Sequence, residues 1–227
     1  MLSCSGYTGF GQKRLTLWFG RKYQHAVMAS EILYLASASP RRRELLDQIG
    51  VPYELRPVAV DELRQPGESA RDYVLRLARA KAEIAWALNA RKKPGPVLAA
   101  DTVVVVGDAI LGKPRDRADA LAMLEKLSAR THEVLTAVVL RNSRGLDSRV
   151  NGSRVTFRAV RPDEAERYWS TGEPRDKAGA YAIQGYAAVF IASLEGSYSG
   201  VMGLPLFETA ELLLQAGIAT WMHRHES

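Results

Sequence analysis

The segment Ile32-Leu33-Tyr34-Leu35-Ala36-Ser37-Ala38-Ser39-Pro40-Arg41-Arg42-Arg43-Glu44-Leu45-Leu46-Asp47-Gln48-Ile49-Gly50 places a strand directly before a helix. Ile32 to Ala36 is an apolar run of strand length. Ser39 fits an N-cap, Pro40 the first helical position and Gly50 the residue just past the helix end. Arg41, Arg42 and Arg43 then fall in the first helical turn, at the positive end of the helix dipole, where cations are unfavourable. Two readings fit. The arginines form a solvated basic face, or they accompany the free backbone amides in holding an anion, because a strand-loop-helix junction is where phosphates bind.

Working outward, Tyr53 to Val58 reads as a second strand. A polar loop containing Asp61 and Glu62 leads to Ser69-Ala70-Arg71-Asp72, a capping box with Asp in the Glu position. Tyr73, Leu77, Ile84 and Leu88, with Ala78, Ala82 and Ala85, keep helical spacing to Asn89, and Lys92 to Pro96 is a turn. Val97 to Val106 is a strand and Asp116 to Leu127 a helix. His132 to Leu140 and Arg149 to Phe157 flank a turn at Asn142 to Gly145, which predicts a hairpin. Pro162 to Ser170 is a short helix, Ala187 to Leu194 a strand, and Leu206 to Gln215 a closing helix. Helices alternate with strands but a hairpin interrupts them, so the expected fold is α/β with a mixed sheet and flanking helices.

The 227 residues, 47% of them hydrophobic, suffice for a sizeable core. The formal charge of +6 is uneven, because residues 1–27 hold Lys13, Arg14, Arg21 and Lys22 and no acid. The near-balanced remainder argues against an extended nucleic-acid footprint. No apolar stretch approaches bilayer length, and the single Cys4 excludes a disulfide framework and a cysteine zinc site. A reducing, cytoplasmic setting is consistent with that. His223 and His225 alone have metal-ligand spacing, in a polar end read as a tail. Residues 1–27 resemble a transit peptide weakly; a start at Met28, just before the first strand, is the favoured explanation. The expected organisation is an extension over 1–27, a domain over 28–220 and a tail over 221–227.

Asp101 carries the second strong signal. It interrupts the apolar runs Val97 to Ala100 and Val103 to Val106. A carboxylate there is costly unless paired or bound to a metal; it is either a candidate general base or a strand-end Asp satisfied by a neighbouring backbone N–H. Asp61-Glu62, Gly112-Lys113-Pro114 and Asp176-Lys177-Ala178-Gly179 share one character: cations suited to phosphates and carboxylates suited to a hard divalent metal. Neither Gly-x-x-x-x-Gly-Lys-[Ser/Thr] nor Gly-x-Gly-x-x-Gly occurs, which excludes the usual phosphate-loop and dinucleotide signatures.

In order and spacing, Ala36-Ser37-Ala38-Ser39-Pro40-Arg41-Arg42, Asp61-Glu62, Leu77-Ala78-Arg79-Ala80-Lys81-Ala82, Ala100-Asp101-Thr102, Gly112-Lys113-Pro114, Asp176-Lys177-Ala178-Gly179-Ala180-Tyr181 and Gly203-Leu204-Pro205 resemble the Maf family of nucleoside triphosphate pyrophosphatases. The resemblance runs from about Ile32 to Gln215. It implies a fold of the inosine-triphosphate-pyrophosphatase type, with two lobes around a cleft. It also implies hydrolysis of a nucleoside triphosphate to the monophosphate and pyrophosphate with Mg²⁺ or Mn²⁺. Asp101 lands on the catalytic-base position. Ser39, Arg42, Lys81, Lys113 and Lys177 land on phosphate-binding positions. Glu62, with Asp101, falls where acidic residues meet the metal.

Base specificity in the family is associated with three positions, here Arg41, Thr102 and Gln184. This set resembles the branch acting on dTTP and UTP, whereas the branch acting on 7-methyl-GTP carries Trp, Gln and Glu. A Gln offers both a donor and an acceptor, which suits the O4 and N3–H of thymine or uracil. The expectation is therefore a dTTP/UTP pyrophosphatase binding a small-molecule nucleotide, with neither nucleic acid nor membrane as partner and with a homodimer as its assembly. The alternatives are the same reaction on 7-methyl-GTP or another base, and a non-catalytic nucleotide-binding regulator of cell division.

Overall fold

A computed structural model describes residues 32–89 and 94–221. The extension over 1–27, the start at Met28, Cys4, the turn residues Lys92 and Lys93, and the tail histidines His223 and His225 lie outside the described residues.

The opening segment folds as its sequence dictates. Strand β1 (Leu33–Leu35) is fully buried and feeds helix α1 (Pro40–Gln48). Ser39 has the extended N-cap backbone but its hydroxyl makes no capping bond; its own N–H donates to Ser37 Oγ at 3.1 Å. Gly50 takes the left-handed conformation after the helix, with φ +65°. Strand β2 (Tyr53–Leu55) is shorter than the expected 53–58, because Pro57 has no N–H to extend the ladder past Arg56, whose amide donates to the Leu35 carbonyl.

Helix α2 (Ala70–Asn89) starts at the expected box, with Asp72 N–H donating to Ser69 Oγ at 3.1 Å. Its buried face keeps the Leu77 and alanine part of the expected apolar stripe but not Ile84 and Leu88. Ile84 and Leu88 are exposed, while Val74, Leu77, Ala78, Ala82 and Ala85 are buried. The alanines win because a small residue lets the helix backbone approach the sheet.

Strand β3 (Val97–Val106) is the centre of the molecule. Short β4 (Ala109–Leu111) folds back on its end, and helix α3 (Arg117–Leu127) follows, capped by Asp116, which accepts from the Asp119 N–H at 2.9 Å. The expected hairpin is β5 (Thr131–Asn142) and β6 (Gly145–Phe157), joined by a two-residue turn. Helix α4 (Pro162–Ser170) precedes three 3-10 turns, over Glu173–Asp176, Ala178–Ala180 and Tyr186–Phe190, and strand β7 (Ile191–Glu195). The expected strand over 187–194 thus begins as a 3-10 turn, because the Glu173 carboxylate accepts from the amides of Tyr186 and Ala187 and caps it. Short helix α5 (Tyr198–Met202) and helix α6 (Leu206–Gln215) complete the chain. β4 and α5 gave no sequence signal beyond their turn glycines.

The seven strands form one mixed sheet in the order β2-β1-β3-β5-β6-β7, with β4 also on β3. β1 runs parallel to β2 and β3, and the remaining pairs are antiparallel. One apolar cluster lies between the sheet and α2. A second lies on the opposite face, under α1 and α6. A third gathers α3, α4, the 3-10 turns and the far ends of β3, β5 and β6. The first two and the third make two lobes threaded by the same long strands, with a cleft between them.

His132, 3% exposed, packs against the third cluster, its Nε2 2.8 Å from the Tyr181 hydroxyl and its ring against Phe157. Burial pushes its pKa down to about 4. The folded value lies below the ordinary 6.5, so between those values the unfolded chain takes up a proton that the folded chain does not. Stability therefore falls as pH drops through this window, by about 2 kcal/mol between pH 7 and pH 5 from this group. Urea titrations of wild type and His132→Gln at both pH values measure it. Equal pH dependence in the two proteins would show that His132 is not held neutral.

Candidate active site

The cleft exists because strand β3 is paired unevenly on one edge. β5 accompanies it from Val97 to Val105. On the other edge β1 reaches only Leu98, and β4 begins only at Val104. Between them, β3 residues 99–103 face an opening that the Ser37–Arg42 junction borders. The cavity measures about 510 Å³. Its lining includes Ser39, Arg41, Arg42, Glu62, Lys81, Asp101, Thr102, Lys113 and Gln184. Nine of the ten expected site residues are thus brought together. The tenth, Lys177, is represented there by its neighbour Asp176, with which its ammonium is paired.

Strand pleating sends Asp101 and Thr102 to opposite faces. Asp101 points toward α2, and its Oδ1 accepts from Lys81 Nζ at 2.5 Å. Both side chains are nearly buried, with 11% and 13% exposure. This pairing explains how a carboxylate is tolerated in an apolar strand. The same ammonium lies 3.4 Å from Glu62 Oε1, on the exposed loop before α2. That loop is tied down by Tyr73, whose hydroxyl donates to the Glu62 carbonyl at 2.7 Å, and by Arg76, which holds Glu68 and the Leu63 carbonyl. Asp61 serves the turn itself, accepting from the Leu63 N–H.

Thr102 points to the other face and meets α1. Arg42 donates to the Gly203 carbonyl at 2.7 Å, to Thr102 Oγ1 at 3.1 Å and to Ser37 Oγ at 3.3 Å. Thr136 Oγ1 lies 2.8 Å from the Gly200 carbonyl and 3.0 Å from Thr102 Oγ1. A carbonyl only accepts, so Thr136 donates to Gly200 and Thr102 donates to Thr136, leaving the Thr102 lone pair for Arg42. Gly203, at φ +115°, ends α5 with its carbonyl turned to the guanidinium. Arg41 donates to the Met202 carbonyl at 3.2 Å. Sequence reading missed α5, whose Met202 and Gly203 carbonyls aim both arginines; the Gly203-Leu204-Pro205 block was the available signal.

Burial lowers the pKa of Arg41 and Arg42 from the ordinary value, with Asp101 the leading opposing influence at Arg42 and Asp176 at Arg41. Two desolvated guanidiniums in one wall gain from an incoming anion, which restores the charge-charge attraction they lost with water. Lys113 is exposed at the cleft margin with no ion-pair partner among the described residues. Gln184 is exposed, and its side-chain amide makes no hydrogen bond among the described residues.

No group of three or more acidic, histidine or cysteine side chains that could cage a metal occurs among the described residues. Asp101 and Glu62 nonetheless converge on one ammonium, a cation held between two carboxylates. That donor set fits Mg²⁺ or Mn²⁺ in the manner of one or two carboxylates completed by substrate phosphates and water.

Fold and site together define a mixed-sheet α/β protein whose inter-lobe cleft suits a multiply charged anion bound over a carboxylate. The chain belongs to the Maf family: the family model described as Maf-like protein matches residues 32–216. It is 55% identical over 193 residues to a dTTP/UTP pyrophosphatase of Bordetella avium, an alignment covering 82% of this chain and 96% of that one. It is 54% identical over 194 residues to a dTTP/UTP pyrophosphatase of Cupriavidus pinatubonensis, with 82% and 97% covered. A protein of the same description from Alkalilimnicola ehrlichii is 55% identical over 184 residues, covering 80% and 91%.

Proposed function

We propose that this chain hydrolyses dTTP and UTP to the nucleoside monophosphates and pyrophosphate. The observation that carries the proposal is the Asp101–Lys81 pair at the opening in β3, faced across one cavity by Arg41, Arg42 and Lys113. The names of the relatives support the substrate class, and Arg41, Thr102 and Gln184 lie together in that cavity.

In this reading, Lys81 holds Asp101 through Oδ1, and Oδ2, without a partner among the described residues, takes a proton from water. The water oxygen bonds to the α-phosphorus as its bond to the bridging oxygen breaks, and pyrophosphate leaves. Arg42, Lys113, Lys177 and the Ser39 region hold the charge of the β- and γ-phosphates and of the departing group. Gln184 meets the pyrimidine edge. Glu62 and Asp101 would hold Mg²⁺ or Mn²⁺, which would supply charge neutralisation on the triphosphate. The active unit spans 28–220, acts in the cytoplasm and assembles as a homodimer, with no membrane or nucleic-acid partner. Among the described residues no helix is long and apolar enough to cross a membrane.

Hydrolysis of dTTP in ¹⁸O-water tests the reaction. The label is expected in dTMP, with pyrophosphate as the other product. Label in orthophosphate, or dTDP as first product, would mean γ-phosphate cleavage and sink the proposal. Preference for 7-methyl-GTP over dTTP and UTP would support the second substrate class, and nucleotide binding with no pyrophosphate release would support the regulator.

A further inference from the structure

Gln184 sits at the tip of a segment that is pinned on both sides by two side chains outside the cleft. On the N-terminal side, the Ala182 N–H donates to the Tyr168 hydroxyl at 3.1 Å. On the C-terminal side, the Tyr186 N–H donates to Glu173 Oε2 at 3.1 Å, and the Ala187 N–H to Glu173 Oε1 at 3.4 Å. The two anchors are joined, because the Tyr168 hydroxyl donates to Glu173 Oε1 at 2.7 Å. Tyr168 is 4% exposed, and its ring packs edge-on against Phe190 with centroids 5.5 Å apart. Gly185 completes the arrangement, since a Cβ at that position would overlap the Glu173 carboxylate. A carboxylate accepting from a phenol and two amides is a strong, directional anchor. The backbone around Gln184 is thereby fixed, while the Gln184 amide itself stays exposed and unpaired among the described residues.

We propose that Tyr168 and Glu173 are positioning residues that hold Gln184 at the edge of the nucleobase, so that base discrimination depends on a carboxylate and a phenol that do not touch the substrate. The inference rests on the pyrimidine-nucleotide reading above. A glutamine discriminates between thymine and cytosine only when its backbone is held at a set distance from the base edge. A backbone free to shift lets the amide meet O4 with N3–H, or N4–H₂ with a bare N3, with little difference between them.

The test compares dTTP with dCTP, which share sugar and triphosphate and differ at that edge. In Glu173→Gln one accepting oxygen becomes an N–H₂ that faces a donor, so one arm of the anchor is lost. In Tyr168→Phe only the hydroxyl goes, and the ring still packs on Phe190. For either variant the dTTP KM is expected to rise about tenfold, with kcat within about threefold of wild type. The dTTP/dCTP ratio of kcat/KM is expected to fall about tenfold. Gln184→Ala should lower the same ratio, and combining it with Glu173→Gln should lower it no further, since coupled residues are not additive. A purely structural role would lower Tm and leave the ratio alone. Folded variants with wild-type KM and a wild-type ratio overturn the proposal; if Glu173→Gln does not fold, Tyr168→Phe decides. A wild-type protein that releases no pyrophosphate from dTTP instead overturns the pyrophosphatase reading on which this one stands.

Discussion

Asp101→Asn is expected to lower kcat for dTTP hydrolysis by a hundredfold or more, the scale of losing a general base. Asn is nearly isosteric with Asp. Its carbonyl still accepts from Lys81 Nζ, and Lys81 keeps Glu62 as a second partner. The fold should survive with a loss of about 1–2 kcal/mol, the charge-assisted part of one hydrogen bond. What Asn lacks is a basic oxygen to take a proton from water. Steady-state pyrophosphate release, with Tm measured in parallel, separates the two effects. A variant that keeps more than about a tenth of wild-type kcat would show that Asp101 is not the base.

Lys81→Met is expected to cost stability as well as activity. Asp101 is nearly buried, lies in an apolar strand, and its carboxylate has no hydrogen-bond partner but Lys81 among the described residues. Removing one member of a buried pair strands the other charge, which typically costs 3–5 kcal/mol. For a chain of this size that corresponds to a fall in Tm of about 10 °C. The double variant Lys81→Met/Asp101→Asn should be more stable than Lys81→Met alone, because it removes the stranded charge. Urea denaturation of the four proteins closes the cycle. A Lys81→Met protein within about 1 kcal/mol of wild type would mean that the pair behaves as a solvated surface contact.

By itself, the sequence determined the local structure around the site. Pro40 and Gly50 bound α1, because a locked φ suits the first helical position and a glycine suits the left-handed residue past the end, while Ser39 takes the N-cap backbone without a capping bond from its hydroxyl. The alternation of helices and strands with one hairpin specified a mixed sheet, and the sequence blocks specified the family from about Ile32 to Gln215, where the family model matches residues 32–216. The separated cations and carboxylates were each legible as chemistry, though none of them revealed its partner. Tertiary structure decided what those groups face. The stripe Ile84–Leu88 reads as core on hydrophobicity alone, yet the alanine face is buried, because the distance of α2 from the sheet is set by the size of the residues between them. Lys81 and Asp101 are twenty positions apart in the chain and 2.5 Å apart in space, a contact that exists only once α2 lies across β3. The cleft itself comes from where β1 stops and β4 starts along β3, a matter of strand pairing between distant segments that no local pattern encodes. The aiming of Arg41 and Arg42 by the carbonyls of Met202 and Gly203 is likewise a product of the fold, since a backbone carbonyl has the same chemistry at every position and acquires a role only from where the chain is packed.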